Sequence, residues 1–207
     1  MAAEEKPQQA QPLFSDAVVE GIRRGDPEAV GAVYAVLGDR LLGYLNARVR
    51  DRGVAEDLLE STFLELLANG RSIRGGAAAV KVWLFRAAHF NALDYLRKAQ
   101  RHREDLTGEM SALAHCDTAP GPEELALAGE TTRVVRAAME QLSDDQRLVL
   151  LLRYVGELSA RETAVVLGKT SGAIRSLQHR GERSLARILE ARADQAAPSD
   201  GPWASQG

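Results

Sequence analysis

The fold is decided by residues 156–189, which read GELSARETAVVLGKTSGAIRSLQHRGERSLARIL. This stretch divides at Leu167, Gly168 and Lys169 into a short helix, a tight turn and a longer helix. One face of the longer helix is apolar and is expected to pack inward, with residues spaced three and four apart: Ile174, Leu177, Gly181, Leu185 and Ile188. A short helix, a glycine turn and a longer helix are typical of a helix-turn-helix.

The opposite side of the longer helix carries groups that can donate hydrogen bonds. The candidate DNA contacts there are Thr170, Ser171, Gly172, Arg175, Ser176, His179, Arg180 and Arg183. Such donors suit base edges and phosphates, and a helix N-terminus favours a phosphate. For an isolated basic helix, a solvated surface would be the favoured interpretation. The preceding helix and glycine turn favour DNA reading instead, while Gln178 lies near the edge of the packed face and is a candidate for partial burial.

Apolar residues recur three and four positions apart through most of the chain, and strand signals are almost absent. Two helix starts show the reciprocal capping pattern of a hydroxyl followed three residues later by Glu or Gln, namely Ser143 with Gln146 and Ser159 with Glu162. The sequence therefore predicts an all-α protein built from two small helical domains.

The first helical block runs from about residue 16 to 103. Gly25, Asp26 and Pro27 predict a helix start, followed by one apolar stripe of Val30, Val33, Tyr34, Leu37 and Leu41. A helix is predicted over 54–68, with Leu59, Thr62, Phe63 and Leu66 on one face and Asp57, Ser61, Leu64 and Glu65 on another. A loop is predicted over 69–79, and a long helix from Val80 to about Arg103.

The long helix carries a second stripe, here called the aromatic–basic stripe. It consists of Trp83, Arg86, Phe90, Arg97 and Arg101, with Asp94 among them and Lys98 beside them. Aromatic faces that stack on unpaired bases, interleaved with cations that hold phosphates, suit a single-stranded nucleic acid. Burial of Trp83 and Phe90 in the core is the alternative. Asp94 is as well suited to orienting Arg97 or an adjacent helix as to touching DNA.

Charge is segregated along the chain although the net charge is only −3. Basic residues dominate 86–103 and 169–192, whereas acidic residues concentrate between Glu104 and Asp145. Two local basic fields can attract a phosphate backbone whatever the total charge. The predicted organisation is a disordered tail over 1–13, a helical domain over 14–103, a linker over 104–122, a second domain over 123–193 and a disordered tail over 194–207.

Other classes of protein find little support in the sequence. The single Cys116 has only His115 as a nearby metal ligand, so neither an internal disulfide nor a metal site is expected. No apolar run suits a membrane span and no secretory signal is seen, which favours a cytoplasmic protein without membrane contact. No catalytic or cofactor-binding constellation appears at a meaningful spacing, so an enzyme is not expected.

Three segments in order resemble the extracytoplasmic-function (ECF) sigma factors of bacterial RNA polymerase, which keep only sigma regions 2 and 4. AEDLLESTFLELL resembles region 2.2, VWLFRAAHFNALDYLRK resembles regions 2.3 and 2.4, and LSDDQRLVLLLRYVGELSARETAVVLGKTSGAIRSLQHRG resembles region 4. The resemblance implies a factor that directs RNA polymerase to the −10 and −35 promoter elements and initiates transcription.

The resemblance also implies roles for particular residues. Contacts to the β′ clamp helices of core polymerase would come from Asp57, Glu60, Ser61 and Leu64. Contacts to the −10 element would come from Trp83, Arg86, Phe90, Asn91, Arg97, Lys98 and Arg101, together with the loop before them. The −35 element would be read by the helix from Ser171 onward, and the β flap is a further implied partner. Relatives are often inhibited by a separate anti-sigma factor, and the sequence leaves such a partner open.

The chain departs from the family pattern at two places. His89 and Phe90 stand where the family commonly has Arg-Asn, so the family's exact −10 contacts cannot be carried over at those two positions. Thr163 stands where a branched aliphatic residue is usual. The main alternative function is an autonomous helix-turn-helix transcriptional regulator, which explains the second block but leaves the aromatic–basic stripe unused.

Overall fold

The computed structural model describes residues 13–107 and 129–196, and every regular element in those two ranges is helical. The α-helices are α1 Asp16–Arg24, α2 Pro27–Val49, α3 Arg52–Asn69, α4 Ala77–Thr107, α5 Glu130–Met139, α6 Asp144–Leu150, α7 Ala160–Leu167 and α8 Ser171–Ala196. A 3₁₀ turn, Gly70–Ser72, follows α3, and a π-helical turn, Leu151–Val155, follows α6. The prediction of an all-α fold is confirmed.

The chain divides into two compact units. One contains α1 to α4, and the other contains α5, α6, α8 and most of α7. The predicted tails over 1–13 and 194–207 and the predicted linker over 104–122 lie mostly outside the described residues. Where the structure describes their edges, residues 104–107 belong to α4 and residues 194–196 belong to α8. Residues 123–128 are not described, and the first helix after them begins at Glu130.

Helix starts in the first unit follow the capping chemistry of the sequence. Asp26 accepts a hydrogen bond from the backbone N–H of Glu28 at 2.9 Å, and Pro27 occupies the first turn of α2. Gly25 adopts a φ of +74°, which ends α1 in the left-handed conformation that glycine tolerates best. The predicted start at Gly25, Asp26 and Pro27 is therefore confirmed.

The core of the first unit lies where α2 packs against α3 and α4. The face of α3 that was predicted to be apolar is buried: Leu59, Thr62, Phe63 and Leu66. From α2 and α4 the largest fully buried side chains include Leu37, Leu41, Tyr44, Leu45, Leu84 and Phe85. Burial of such apolar area is the main stabilising contribution to a bundle of this kind.

The loop predicted over 69–79 is shorter than expected, because Asn69 ends α3 and Ala77 already begins α4. Gly70 lies so close to α1 that an added Cβ would meet the backbone oxygen of Ile22 at 2.7 Å. The guanidinium of Arg23 donates to the carbonyl of Ile73 at 3.3 Å and to that of Gly75 at 2.5 Å. The conformation of the connection over 70–76 is therefore held by residues of α1.

Both predicted capping boxes are present in the second unit. Ser143 and Gln146 exchange hydrogen bonds at the start of α6. Ser159 and Glu162 do the same before α7, with a donor–acceptor distance of 2.6 Å for the Ser159 N–H and 3.2 Å for the Glu162 N–H. The helix-turn-helix therefore begins at the predicted residue.

The turn and the inward face of the helix-turn-helix also follow the prediction. Gly168, between α7 and α8, has a φ of +63°. Ile174 is fully buried, and Gly181 is buried where α8 crosses α6. An added Cβ at Gly181 would lie 3.3 Å from the side chain of Leu150, so the absence of a side chain there allows the close approach of the two helices.

We expect Thr163→Val to raise the free energy of unfolding of the second unit by about 1 kcal/mol, because it removes an unpaired buried hydroxyl. Thr163 is fully buried, and its hydroxyl oxygen has no hydrogen-bond partner among the described residues. Urea unfolding followed by circular dichroism measures the change. Thr62→Val is the matched control, since the buried Thr62 hydroxyl donates to Leu58 at 2.7 Å and accepts from Asn91 at 3.2 Å. Thr62→Val should lower the free energy of unfolding, because it removes a paired hydroxyl. If both variants lowered it equally, the Thr163 hydroxyl could not be unpaired.

No helix within 13–107 or 129–196 combines the length and apolar character that crossing a membrane requires.

Candidate nucleic-acid interface

The N-terminal half of α8 presents the predicted DNA contacts on one exposed surface, here called the reading face. Its members are Thr170, Gly172, Arg175, Ser176, His179, Arg180 and Arg183, all exposed, with Ser171 half-buried. The hydroxyl of Thr170 accepts a hydrogen bond from the backbone N–H of Ala173 at 3.2 Å and so caps the helix. The reading face therefore joins guanidinium donors to the positive end of a helix dipole.

Gln178 turns away from the reading face, as its position at the edge of the packed side predicted. Its side-chain oxygen accepts a hydrogen bond from Nε of Arg153 at 2.9 Å. Its side-chain nitrogen donates to Oε1 of Glu182 at 2.8 Å. Both ends of the Gln178 amide are therefore hydrogen-bonded to residues of the same unit.

Tyr154 is exposed over 62% of its surface and lies in the π-helical turn. Its hydroxyl donates to Oε1 of Glu182 at 2.5 Å. Sequence reasoning missed this residue, because the two partners are 28 positions apart and no local pattern links them.

The aromatic–basic stripe of α4 is largely exposed. Phe90 is 46% exposed, and the guanidinium carbon of Arg86 lies 5.6 Å from the centroid of its ring. This distance is within the range of a cation–π interaction. Arg97, Lys98 and Arg101 are exposed, whereas Trp83 is half-buried. Phe90 thus offers an accessible ring face among cations. The Trp83 side chain is partly packed in the core and partly exposed to solvent.

Asp94 forms an exposed ion pair with Arg97, with 3.6 Å between a guanidinium nitrogen and a carboxylate oxygen. This contact agrees with the alternative that Asp94 orients Arg97. Exposed pairs of this kind contribute little to stability, so Arg97 is readily released to another anion.

Two polar residues of α4 are directed into the bundle. The side-chain nitrogen of Asn91 donates to Thr62 at 3.2 Å and to Glu65 at 2.9 Å, both on α3. Asn91 therefore lies apart from the aromatic–basic stripe, although it was included among the predicted −10 contacts. No signal in the sequence shows which polar residue of an amphipathic helix turns toward its neighbour.

His89 shares a hydrogen bond with the buried Tyr44, with 2.8 Å between Nδ1 and the hydroxyl oxygen. Burial lowers the pKa of His89, and the nearby Arg48 lowers it further. Burial also raises the pKa of Tyr44 well above its usual range. A neutral imidazole held in this way makes His89 part of the α2–α4 packing.

The predicted polymerase contacts all lie on the exposed side of α3. Asp57, Glu60 and Ser61 are exposed, and Leu64 is 59% exposed. Tyr34 of α2, which sequence reasoning assigned to the apolar stripe, is 51% exposed and packs against Phe63 in a tilted arrangement with ring centroids 4.9 Å apart. Tyr34 thereby extends this apolar and acidic surface onto α2.

The connection over 70–76 exposes Arg71 and Arg74 on a backbone that Arg23 holds in place. Within the described residues, no group of three or more His, Cys, Asp or Glu side chains is arranged to hold a metal ion. Cys116 and His115 lie outside the described residues.

Comparison with known proteins gives a consistent family. Residues 33–102 match "Sigma-70 region 2" and residues 132–185 match "Sigma-70, region 4". The ECF RNA polymerase sigma factor SigX of Bacillus subtilis is 30% identical over 165 residues, which cover 79% of this chain and 84% of the relative. BldN of Streptomyces coelicolor, also an ECF RNA polymerase sigma factor, is 32% identical over 172 residues, which cover 83% of this chain but only 64% of that longer relative.

The fold is also found among solved structures. The sigma factor RpoE, in complex with the anti-sigma factor NepR from Bartonella quintana, aligns with a TM-score of 0.61 at 22% identity, over 76% of this chain and 94% of that one. That likeness concerns the fold alone, whereas the identity with SigX extends over most of both sequences. Together with the matched regions 2 and 4, it shows that the chain belongs to the ECF sigma factors of RNA polymerase.

Proposed function

We propose that this sigma factor directs transcription initiation through three separate surfaces. The reading face of α8 recognises the −35 element as a duplex, the aromatic–basic stripe of α4 holds the −10 element as a single strand, and the exposed side of α3 docks on core polymerase. The single observation that carries the proposal is that exposed arginines line both α4 and α8, each in its own compact unit.

The assignment of α8 follows from its donors. Arg175 and Arg180 are exposed on the N-terminal half of a helix that follows a tight turn. In a helix-turn-helix this part of the second helix enters the major groove. Guanidinium groups bind guanine edges in a bidentate manner and also pair with phosphates. Thr170, whose hydroxyl is occupied by the cap, contributes by fixing the helix N-terminus at which a phosphate binds.

The assignment of α4 follows from its rings. An exposed Phe90 ring can stack on an unpaired base, since every base has a π-face, and Arg86 above the ring adds a cation. Arg97, Lys98 and Arg101 continue the positive charge along the helix for the backbone of the same strand. Arg71 and Arg74 lie on the braced connection over 70–76, which is the loop that the family resemblance implicates, and they extend the basic surface onto it.

The exposed side of α3 combines acidic groups with an apolar side chain. Leu64 at 59% exposure and Tyr34 at 51% exposure are large apolar groups at the surface, beside Asp57 and Ser61. We assign this surface to the β′ clamp helices, and we assign the second unit to the β flap. In this proposal the protein acts in the cytoplasm as an initiation factor, without a catalytic residue or cofactor. An anti-sigma factor is a further proposed partner, since one is bound to the sigma factor RpoE from Bartonella quintana.

In vitro transcription of a genomic library with purified core polymerase tests this function. We expect the protein to give new RNA 5′ ends that share two upstream elements at a fixed spacing. Core polymerase alone provides the control. Equal transcript patterns with and without the protein, or binding of a duplex site by the protein alone, would favour the autonomous regulator instead.

A further inference from the structure

Glu182 is the one acidic residue between positions 169 and 189, and it lies beside the reading face of α8. A residue three positions later on a helix lies on the same side, so Glu182 follows directly below His179. The carboxylate is therefore placed where DNA phosphates would pass if α8 entered a groove. A free anion at this place would oppose binding.

The structure holds that carboxylate from two sides. The Tyr154 hydroxyl donates to Oε1 of Glu182 at 2.5 Å, and the Gln178 amide donates to the same oxygen at 2.8 Å. Gln178 is fixed in turn by Nε of Arg153 at 2.9 Å. Arg153 also donates from a terminal guanidinium nitrogen to the carbonyl of Leu158. A continuous chain of hydrogen bonds thus ties the edge of the reading face to the segment before the helix-turn-helix.

The carboxylate that is held in this way is charged. Hydrogen bonds from Tyr154 and then from Gln178 lower the pKa of Glu182 below its ordinary value. The same bond raises the pKa of Tyr154, because an ionised phenol could no longer donate to the carboxylate. Tyr154 therefore donates throughout the neutral range, and the acceptor it serves is an anion.

We propose that Tyr154 and Gln178 form a brace that draws the Glu182 carboxylate away from DNA bound by α8, which makes Tyr154 a positioning residue for promoter binding. The inference rests on the proposed function of the reading face. The brace has a second consequence, since it ties α8 to the π-helical turn and limits rotation of the helix about its own axis.

Tyr154→Phe removes only the hydroxyl and keeps the ring. In the holoenzyme we expect it to weaken binding to a promoter mapped by library transcription about two- to fivefold at low salt, a difference that shrinks as salt rises. In a Glu182→Gln background the same substitution is expected to change binding little, because no charge is released. Thr132→Val, which removes an exposed hydroxyl from α5 in the same unit, is the control and is expected to leave promoter binding unchanged.

Equal weakening by Tyr154→Phe in both backgrounds would assign the hydroxyl a purely structural role and overturn the proposal. No weakening in either background would overturn it as well. A readout without DNA comes from a pH titration of ¹³Cζ-labelled tyrosine by NMR, in which Glu182→Gln should lower the pKa of Tyr154 alone. An unchanged Tyr154 pKa would show that the bond does not form in solution.

Failure of the underlying function gives a different result. If Arg175→Ala with Arg180→Ala binds the same promoter as tightly as the wild type, the helix does not read DNA, and the role of the brace falls with it. If that double variant loses binding while Tyr154→Phe does not, the proposed function stands and only the brace is wrong.

Discussion

Replacing Arg175 and Arg180 together by alanine is expected to lower transcription from promoters that depend on the −35 element by about 100-fold. Each side chain is exposed on the reading face of α8. An arginine that binds a base edge or a phosphate contributes about 1–3 kcal/mol, and 1.4 kcal/mol corresponds to a tenfold change. Run-off transcription with saturating core polymerase measures the loss, and assembly of the holoenzyme should be unaffected.

A charge-matched variant separates recognition from general attraction. Arg133→Ala with Arg136→Ala removes the same charge from exposed positions on α5, which is not part of the reading face. We expect this control to lose only the small amount of transcription that follows from reduced long-range attraction. Because salt screens that attraction, the difference from the wild type should shrink as the salt concentration rises. Equal losses in the two double variants would contradict the assignment of α8 to base and phosphate contacts.

The second large effect is expected from Phe90→Ala combined with Arg97→Ala, which should slow promoter opening about 10- to 100-fold. Stacking of a base on an aromatic ring contributes about 1–3 kcal/mol, and loss of a phosphate contact adds to it. Phe90 is half exposed and the side chain of Arg97 forms an exposed ion pair with Asp94, so neither replacement is expected to disturb the core. Permanganate reactivity of unpaired thymines reports the rate of opening.

Arg24→Ala is a suitable control for the loss of charge, because Arg24 is exposed at the end of α1 in the same unit. It should open promoters at the wild-type rate. If the Phe90 and Arg97 double variant also opens promoters at that rate, the aromatic–basic stripe does not hold the unpaired strand.

Much of the second unit could be predicted because its determinants are local. The capping boxes at Ser143 and Ser159 and the turn at Gly168 depend on residues three or four positions apart. Such signals are complete within a short window of sequence. The exposed and buried sides of α8 follow from the 3.6-residue period in the same way.

The features that were missed depend on distant parts of the chain. The π-helical turn Leu151–Val155 accompanies the bond of Arg153 to Gln178, and the exposure of Tyr34 accompanies its tilted packing against Phe63. The early start of α4 at Ala77 depends on a connection that Arg23 of α1 holds. Pairings across 25 or more positions leave no periodic trace in the sequence.

Asn91 and His89 illustrate the limit for candidate site residues. Both are polar residues on a helix that was predicted to touch DNA. Asn91 was among the predicted −10 contacts, whereas His89 was named only as a departure from the family pattern. In the structure Asn91 bonds to α3 and His89 bonds to Tyr44. Which polar side chains satisfy partners inside a bundle depends on the neighbouring helices, and the sequence of one helix does not contain that information.

Site-specific photo-crosslinking in the polymerase–promoter complex tests the central claim most directly. A photoreactive residue at position His179 should crosslink duplex DNA at the −35 element, and one at position Phe90 should crosslink the unpaired strand at the −10 element of the same promoter. Crosslinks from both positions to one stretch of DNA, or from neither position in a complex that initiates RNA, would contradict the assignment of the two helices to separate elements.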